Sequence, residues 1–336
     1  MLLMTASPAS RCGGAFCVLL ATLLAPVAVW AQTNSGALDL LKPIGARPTA
    51  MGAAYVAEQG GEAVWWNPAG IARVTKPEFA LDHFQDVFVA SGDAASIILP
   101  AGIAGVFGIE ARLFNFDTIR VTTLTGEDVG LTTPRSISLG ATYAASFGPQ
   151  LSAGLSLRFY QFNVACSGAC ATLFAADSYT GYLDAGVQFR PTPSGPLQVG
   201  VVLSNLGPNL QVHDQPQADA LPARLHVGAS YRPTSTAWDP ALSLAATAEL
   251  VSSLALSSKE LHVGTEVGYA SGITHVFARA GFVLQAQGAD GQRNTGPSVG
   301  VGIASGRVTI DFARVIEAVS TGLGVPPTYI SIRLGL

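Results

Sequence analysis

The sequence predicts an all-β fold, a transmembrane antiparallel β-barrel of about 14 strands with a small, partly helical N-terminal hatch. From about residue 79 to the last residue, apolar side chains alternate with small or polar ones, which is the period of a β-strand. Only 12% of the residues are charged, against about 25% in a typical soluble domain. After the N-terminus, no apolar run reaches the roughly 20 residues that a membrane-spanning helix requires. The chain is therefore predicted to cross a membrane with strands.

Residues 1–31 are predicted to be a signal peptide. Arg11 precedes an apolar run over residues 15–31, and this run ends in the small-x-small pattern of a cleavage site. An uncleaved membrane anchor is the alternative. Pro26 interrupts the run, however, and the run is short for a membrane span, so the sequence favours the signal peptide.

Residues 32–75 do not alternate, and they are predicted to form a compact plug, the N-terminal hatch. Residues 38–43 and 49–59 are typical of short helices. In the stretch WWNPAG, Asn67 is expected to cap a turn that begins at Pro68. The hatch motif comprises Trp65, Trp66, Asn67, Pro68, Ala69 and Gly70. Because large aromatic side chains bury about 150–250 Å² each, the two tryptophans are expected to supply most of the burial of the hatch.

Residues 76–336 form the predicted barrel, in which fourteen segments alternate. The segments span residues 79–90, 92–100, 102–116, 135–147, 151–164, 178–190, 196–206, 223–232, 241–251, 260–270, 273–284, 296–304, 306–315 and 327–336. An even number of strands is typical of bacterial single-chain barrels. The connections alternate between short turns and longer loops, which is typical of a barrel with periplasmic turns and extracellular loops.

The polar face of these segments distinguishes a membrane barrel from a soluble sandwich. A soluble sandwich requires many outward Lys and Glu side chains, but Lys76 and Lys259 are the only lysines after residue 75. In segment 260–270, Val263 and its apolar neighbours alternate with Gly264 and Glu266. The apolar face is predicted to meet lipid, and the face rich in Gly, Ser, Thr and Arg is predicted to line the lumen. A small lumenal residue such as Gly264 is expected to tolerate serine.

Twelve charged residues within the segments lie on the polar face and are predicted to line the lumen. They are Glu110, Arg112, Arg158, Asp184, Arg190, Arg224, Arg232, Glu249, Glu266, Arg279, Asp311 and Arg333. A register error of one residue would place each arginine in lipid at a cost of about 2–4 kcal/mol near the midplane. We interpret these side chains as groups that solvate and cross-link the lumen, in preference to a ligand site.

Two cysteines, Cys166 and Cys170, remain after removal of the signal peptide. An exported protein folds in an oxidising compartment, so a disulfide that closes a loop tip is predicted. A zinc site is disfavoured because zinc normally takes four ligands and the segment CSGAC offers two. A redox role is disfavoured because the spacing is not C-x-x-C.

Residues 44–72, IGARPTAMGAAYVAEQGGEAVWWNPAGIA, resemble the N-terminal signature of the PorV/PorQ family of outer-membrane proteins, which is related to the FadL-type fatty acid transporters. Residues 204–208, 221–232, 262–269, 279–282 and 308–313 resemble later blocks of the family in the same order. The resemblance implies a multi-pass protein of the bacterial outer membrane. It also implies that Asn67, Pro68 and Ala69 belong to a hatch inside a fourteen-stranded barrel. Leu336 departs from the pattern, because outer-membrane barrels usually end in Phe or Trp.

The sequence does not identify a catalytic constellation, a cofactor site or a metal site. The five histidines are scattered, and none has a Ser and a carboxylate partner that the sequence alone identifies. The net charge of -4 and the lack of a basic cluster argue against nucleic acid as a partner. Outer-membrane lipid is the expected environment.

Two functions follow from the resemblance. A PorV-like protein is expected to handle or attach cargo at the cell surface in type IX secretion, with secreted cargo proteins or secretion-system components as partners. A FadL-like protein is expected to take up a hydrophobic small molecule past the hatch. The closer resemblance to PorV favours the first function at this point.

Overall fold

The computed structural model describes residues 35–85, 90–170, 176–211, 218–233, 239–254, 258–285, 296–316 and 326–336. The predicted signal peptide, residues 1–31, lies outside the described residues. Residues Gln32–Leu336 form one compact unit. In the described part of the chain, no helix is long and apolar enough to cross a membrane.

Seventeen strands are described, and fourteen of them close into one antiparallel barrel. The strands are β1 (Glu78–Gln85), β2 (Ser91–Pro100), β3 (Val106–Asn115), β4 (Ile119–Thr122), β5 (Asp128–Phe147), β6 (Leu151–Gly168), β7 (Ala176–Phe189), β8 (Leu197–Leu206), β9 (Leu210–Gln211), β10 (Ala218–Asp219), β11 (Arg224–Tyr231), β12 (Leu242–Ser253), β13 (Lys259–Ser271), β14 (Thr274–Gln285), β15 (Gly296–Ser305), β16 (Val308–Val315) and β17 (Thr328–Gly335). Antiparallel pairing of β1 with β17 and of β3 with β5 closes the ring. Strand β4 pairs with β5 beside the barrel, and β9 pairs with β10 in a separate two-stranded sheet. The prediction of a fourteen-stranded barrel is confirmed.

Three predicted segments differ clearly in length from the strands. The segment 102–116 is shortened at its start because Gly102–Ala104 forms a 3₁₀ turn, in which Gly102 has a φ of 62°. The segments 135–147 and 151–164 are lengthened into β5 and β6, which have 20 and 18 residues. A transmembrane strand needs only about 9–11 residues. The β5–β6 hairpin therefore projects beyond the membrane.

The side chains of the barrel strands separate into an exterior and an interior face. On β13, Val263 and Val267 are 39% and 45% exposed, whereas His262 and Glu266 are 6% and 5% exposed. The same alternation places a large number of Leu, Ile, Val, Phe and Tyr side chains on the outside of the other strands. An apolar exterior on a closed barrel is the surface that lipid covers. The predicted register and lipid face of β13 are thus found in the fold.

The N-terminal segment, residues 35–77, fills the interior of the barrel. It contains a 3₁₀ turn at Leu38–Leu41, helix α1 (Ala46–Ala50) and 3₁₀ turns at Gly61–Trp65 and Pro68–Ile71. Helix α1 contacts β14 to β17, Gly61–Trp65 contacts β1 and β2, and Pro68–Ile71 contacts β5 to β7. The segment is therefore surrounded by strands on several sides.

The predicted helix over residues 49–59 is wrong, because helix α1 ends at Ala50. Gly52 and Ala53 follow with φ values of 65° and 59°, so the backbone turns in the left-handed region. The amides of Tyr55 and Val56 then donate to the Glu249 carboxylate of the barrel wall at 2.8 and 2.9 Å. Because the wall supplies hydrogen-bond acceptors, the segment does not need to satisfy its own amides in a helix.

Candidate functional site

Lumenal glycines provide the surface on which the N-terminal segment rests. A Cβ atom on Gly200 would lie 2.2 Å from the carbonyl oxygen of Val56. A Cβ atom on Gly281 would lie 1.9 Å from the amide nitrogen of Gly52. Gly154 and Gly264 also lie against backbone atoms of the segment, and Gly186, Gly228 and Gly300 lie against its side-chain atoms. The absence of side chains lets the backbone of the segment approach the wall directly.

Gly264 corrects an expectation from the sequence. Its Cβ position lies 2.3 Å from the carbonyl oxygen of Met51, which is backbone and cannot rotate away. A serine at this position would therefore displace the N-terminal segment. The expectation that Gly264 tolerates serine is wrong, because the sequence shows the size of the residue but not the backbone opposite it.

The Asn67-Pro68 turn is buried against the wall. Asn67 is fully buried, and its Oδ1 accepts a hydrogen bond from the Ala69 amide at 3.1 Å, so it caps the 3₁₀ turn that starts at Pro68. The side-chain amide of Asn67 donates to the carbonyl oxygen of Val56 at 2.7 Å. Gly70 is also required for size, since its Cβ position lies 2.5 Å from the Ala63 side chain. This turn thus fixes the direction in which the chain leaves the segment.

Trp65 and Trp66 do not form the centre of the core. Both are mostly but not completely buried, and they pack beside a cluster that includes the fully buried Met51, Tyr55 and Ile71. The Trp66 indole donates to the carbonyl oxygen of Ile44 at 3.1 Å, and its ring lies 6.0 Å from the Tyr55 ring. Their outer sides line a cavity, and the expectation that the two tryptophans supply most of the burial of the segment stays a prediction.

Four arginines and four carboxylates form an ion-pair network, the arginine–carboxylate ring, between the N-terminal segment and the wall. Its members are Arg47, Glu58 and Glu62 of the segment and Arg232, Glu266, Arg279, Asp311 and Arg333 of the wall. Arg47 lies 3.1 Å from Glu58, 3.6 Å from Glu62 and 2.8 Å from Glu266. The positive and negative charges balance, which a buried cluster requires.

The wall residues of the arginine–carboxylate ring also pair with one another and with the segment. Arg279 contacts Glu266 and Asp311, both at 2.7 Å. Arg333 contacts Asp311 at 3.1 Å and Glu62 at 3.5 Å. Arg232 adds ion pairs with Glu58 and with Glu266, the second at 3.2 Å. The ring therefore ties the segment to β13, β14, β16 and β17 and to the end of β11.

Tyr55 lies inside the arginine–carboxylate ring as a hydrogen-bonding partner. Its hydroxyl accepts from Arg47 at 2.6 Å and donates to Glu62 at 3.0 Å. Burial raises the pKa of Tyr55 well above its usual range, despite the lowering effect of the Arg47 charge. The phenol therefore stays protonated and keeps its donor for Glu62.

A second buried cluster lies around Arg158 on the opposite wall. Arg158 pairs with Asp184 and lies 3.4 Å from Glu110, which also accepts from Thr142 at 2.7 Å. Arg158 further donates to the carbonyl oxygen of Val64 at 2.8 Å. The cluster therefore also holds the N-terminal segment to the wall.

The other predicted lumenal residues have separate partners. Arg112 donates to the carbonyl oxygen of Asp39. Arg190 lies 3.1 Å from the side-chain oxygens of Gln59 and Gln198. Arg224 pairs with Glu260 at 3.3 Å. Each of these contacts lies on the inside of the barrel.

The sequence analysis missed the charged residues of the N-terminal segment, Arg47, Glu58 and Glu62, as well as His226. Arg47, Glu58 and Glu62 fall within the stretch that resembles PorV/PorQ, but no period-two pattern marks them. The ring nitrogen Nδ1 of His226 lies 2.7 Å from Glu249, and Nε2 lies 3.3 Å from the Ser204 hydroxyl. The alternation on β11 would have placed His226 in the lumen, but not beside these two partners.

Cys166 and Cys170 form a disulfide at the end of β6, with their Cα atoms 5.9 Å apart. The following residues 171–175 lie outside the described residues. Among the described residues, no group of three or more His, Cys, Asp and Glu side chains is arranged to hold a metal ion.

A cavity of about 90 Å³ lies between the N-terminal segment and the wall. Its apolar lining is Leu40, Leu41, Pro43, Ile44, Trp65, Trp66 and Tyr182. Its polar lining is Lys42, Arg112, Arg158, Asp184, Ser204, Asn205, Arg224 and His226. Apart from Lys42 of the segment and Tyr182 of the wall, the cavity has an apolar side from the N-terminal segment and a polar side from the wall.

Comparison with solved structures identifies the class of fold. The chain is similar to the toluene transporter TbuX of Ralstonia pickettii, with 16% identity, a TM-score of 0.58, and coverage of 87% of this chain and 98% of that chain. It is similar to the monoaromatic hydrocarbon channel CymD, with 14% identity, a TM-score of 0.56, and coverage of 87% and 97%. It is also similar to a FadL homologue of Pseudomonas aeruginosa, with 12% identity, a TM-score of 0.52, and coverage of 88% and 99%.

These similarities concern the fold, which is a FadL-type barrel with a small, partly helical N-terminal segment. With its apolar exterior, the chain is a multi-pass β-barrel of the bacterial outer-membrane type. No family model matches the chain, and no curated protein matches it significantly. FadL-type proteins, one of the two groups that the sequence resembles, are among these similar structures. None of these three structures is a PorV/PorQ protein.

Proposed function

We propose that this barrel is a channel for the uptake of a hydrophobic small molecule and that the N-terminal segment is its gate. The observation that carries the proposal is the cavity between the segment and the wall of a FadL-type barrel, one part of which is lined by apolar side chains. Two proteins of similar fold are a toluene transporter and a monoaromatic hydrocarbon channel, which supports a hydrophobic small molecule as the substrate. The preference for a PorV-like role is therefore replaced by the second of the two functions.

The size of the cavity limits the molecules that it can hold. A cavity of about 150 Å³ is large enough to bind benzene. At about 90 Å³, the cavity is smaller than this, so a monoaromatic molecule requires displacement of part of its lining. Trp65 and Trp66 are the largest apolar groups of the lining and come from the segment, so we assign the restriction to them.

Uptake of radiolabelled toluene tests the proposal. A strain that lacks the gene is complemented with the wild type, with Trp65→Ala/Trp66→Ala or with Trp65→Phe. We expect the wild type to restore uptake, and we expect the double variant to transport faster because its cavity is wider. Trp65→Phe is the matched control, since it keeps a large ring in place. Uptake that is the same with and without the gene would contradict the proposal.

The same deletion strain distinguishes uptake from secretion. We expect the set of proteins at the cell surface to be unchanged when the gene is removed. Loss of surface proteins together with unchanged toluene uptake would favour the PorV-like function in type IX secretion instead.

A further inference from the structure

Three lumenal side chains on neighbouring strands form a chain of hydrogen bonds. The Ser204 hydroxyl of β8 lies 3.3 Å from Nε2 of His226 on β11, and Nδ1 of His226 lies 2.7 Å from Glu249 on β12. We propose that Ser204, His226 and Glu249 form a nucleophilic hydrolase centre that acts on small acyl esters in the lumen. The proposal goes beyond uptake and does not depend on it.

The hydrogen bonds of Glu249 determine the tautomer of His226. One carboxylate oxygen of Glu249 accepts from the amides of Tyr55 and Val56 at 2.8 and 2.9 Å, and the other contacts Nδ1 of His226. Because an ionised carboxylate only accepts, Nδ1 carries the proton. The lone pair of Nε2 then faces the Ser204 hydroxyl at 3.3 Å, and the carbonyl oxygen of Arg224 at 3.5 Å is the other acceptor for the hydroxyl proton. With the proton directed to Nε2, His226 has the orientation that a general base needs. Glu249 is therefore a positioning residue.

The three strands hold this arrangement on a rigid surface. In the register of β8 and β11, Ser204 is opposite Arg224 and His226 is opposite Val202, so Ser204 and His226 are diagonal neighbours on the same face. His226 and Glu249 are diagonal neighbours in the same way across β11 and β12. Side chains supported by paired strands keep their positions better than side chains on loops.

Arg224 supplies a donor beside the nucleophile. It lies opposite Ser204, and one of its terminal nitrogens pairs with Glu260 at 3.3 Å. Its Nε is buried and has no hydrogen-bond partner among the described residues. A buried N–H group without a partner, on the residue opposite the nucleophile and in the same cavity lining, can stabilise the negative charge that develops on a carbonyl oxygen.

The proposed catalytic residues and several apolar side chains line the same cavity. Ser204, Arg224 and His226 line the same cavity as Leu40 and Leu41. The cavity volume of about 90 Å³ limits the acyl group to a short one, such as acetyl or butyryl. The substrate class is therefore a small ester with an apolar acyl chain.

The reaction requires only the ester and water. The Ser204 oxygen attacks the ester carbonyl carbon while its proton moves to Nε2 of His226, and the carbonyl oxygen takes the negative charge beside Arg224. The C–O bond to the alcohol then breaks, and His226 returns the proton to the leaving alcohol. Water, deprotonated by His226, attacks the acyl-serine, and the acid leaves as Ser204 recovers its proton.

Hydrolysis of methyl acetate and methyl butyrate by the purified protein in detergent, followed as acid release in a pH-stat, tests the proposal. We expect Ser204→Ala and His226→Asn each to lower the rate by about 100-fold or more. Ser156→Ala is the matched control, since Ser156 is a buried lumenal serine bonded to Thr142, and its rate should stay within about twofold of the wild type. Glu249→Gln should lower kcat and leave KM nearly unchanged, which separates positioning from binding.

Labelling with a fluorophosphonate, followed by mass spectrometry of the peptides, identifies the nucleophile. We expect the label on Ser204 and its loss in His226→Asn. Heat-modifiable gel mobility verifies that each variant has a folded barrel. Absence of hydrolysis by the wild type, a rate unaffected by Ser204→Ala in a folded barrel, or a label on another serine would each overturn the proposal. Unchanged toluene uptake in Ser204→Ala would leave the channel function intact.

Discussion

Removal of the Arg47 guanidinium is expected to release the N-terminal segment from the wall without unfolding the barrel. Arg47 contacts Glu58, Glu62 and Glu266, all of which are nearly fully buried. Arg47→Met fills much of the same volume but leaves the arginine–carboxylate ring with one uncompensated negative charge. Loss of one partner of a buried ion pair costs about 3–5 kcal/mol.

The lower end of this range applies to Arg47→Met. Glu58 and Glu266 keep Arg232, and Glu62 keeps Arg333, so none of the carboxylates loses its last partner. We therefore expect the docking of the segment to weaken by about 3 kcal/mol. Since about 1.4 kcal/mol corresponds to a factor of ten, this is a change of roughly 100-fold in the equilibrium between docked and released segment.

Hydrogen exchange at the amides of Tyr55 and Val56 measures this equilibrium, because both amides are protected by Glu249 only while the segment is docked. We expect their exchange in Arg47→Met to be roughly 100-fold faster than in the wild type, with the strand amides unchanged.

Two further variants complete this test. Arg47→Met/Glu62→Gln restores the charge balance and should recover part of the protection. Arg120→Met is the matched control, since Arg120 and its partner Asp128 are mostly exposed and 3.6 Å apart, and it should have no effect on these amides. Wild-type exchange at Tyr55 and Val56 in Arg47→Met would refute the view that the arginine–carboxylate ring holds the segment.

Three other outcomes follow from the fold. Val263→Arg places a charge on the lipid face and should destabilise the barrel by about 2–4 kcal/mol if the site is near the membrane midplane. A bilayer refolding titration measures this change, and an unchanged titration midpoint would contradict the assigned face. Gly281→Ala should displace the segment and raise single-channel conductance while the barrel stays intact. Gly181→Ala is the control and should leave the conductance unchanged, because the nearest atom to its Cβ position is 3.8 Å away. Equal conductance in the two variants would contradict the role of the glycines. After reduction of intact cells, an impermeant thiol reagent should label Cys166 before the fully buried Cys170, and labelling only after lysis would invert the topology.

Much of the barrel could be predicted from the sequence because strand geometry is a local constraint. Successive side chains of a strand point to opposite faces, so Val263 and Glu266 are assigned to opposite faces without knowledge of the strand partners. The outer ends of β5 and β6 could not be predicted from the sequence, because the parts of these strands beyond the membrane do not need an apolar face.

The site could be predicted only in part. The alternation identifies Glu266, Arg279 and Asp311 as lumenal, but it gives no information about the residues of the N-terminal segment that meet them. Arg47 has no strand pattern around it, and its contact with Glu266 spans 219 positions of the sequence. The same limit applies to Gly264, whose small size is visible in the sequence but whose backbone neighbour, Met51, is not.

The sequence by itself therefore determined the class of fold, the number of barrel strands and the lipid face, because these depend on a period of two that each strand carries alone. Only the tertiary structure decided how the N-terminal segment lies in the lumen, which charges pair and which side chains surround the cavity. These features depend on the pairing of strands, which brings Ser204, His226 and Glu249 into hydrogen-bond contact, and on contacts between the wall and an N-terminal segment that is distant in sequence.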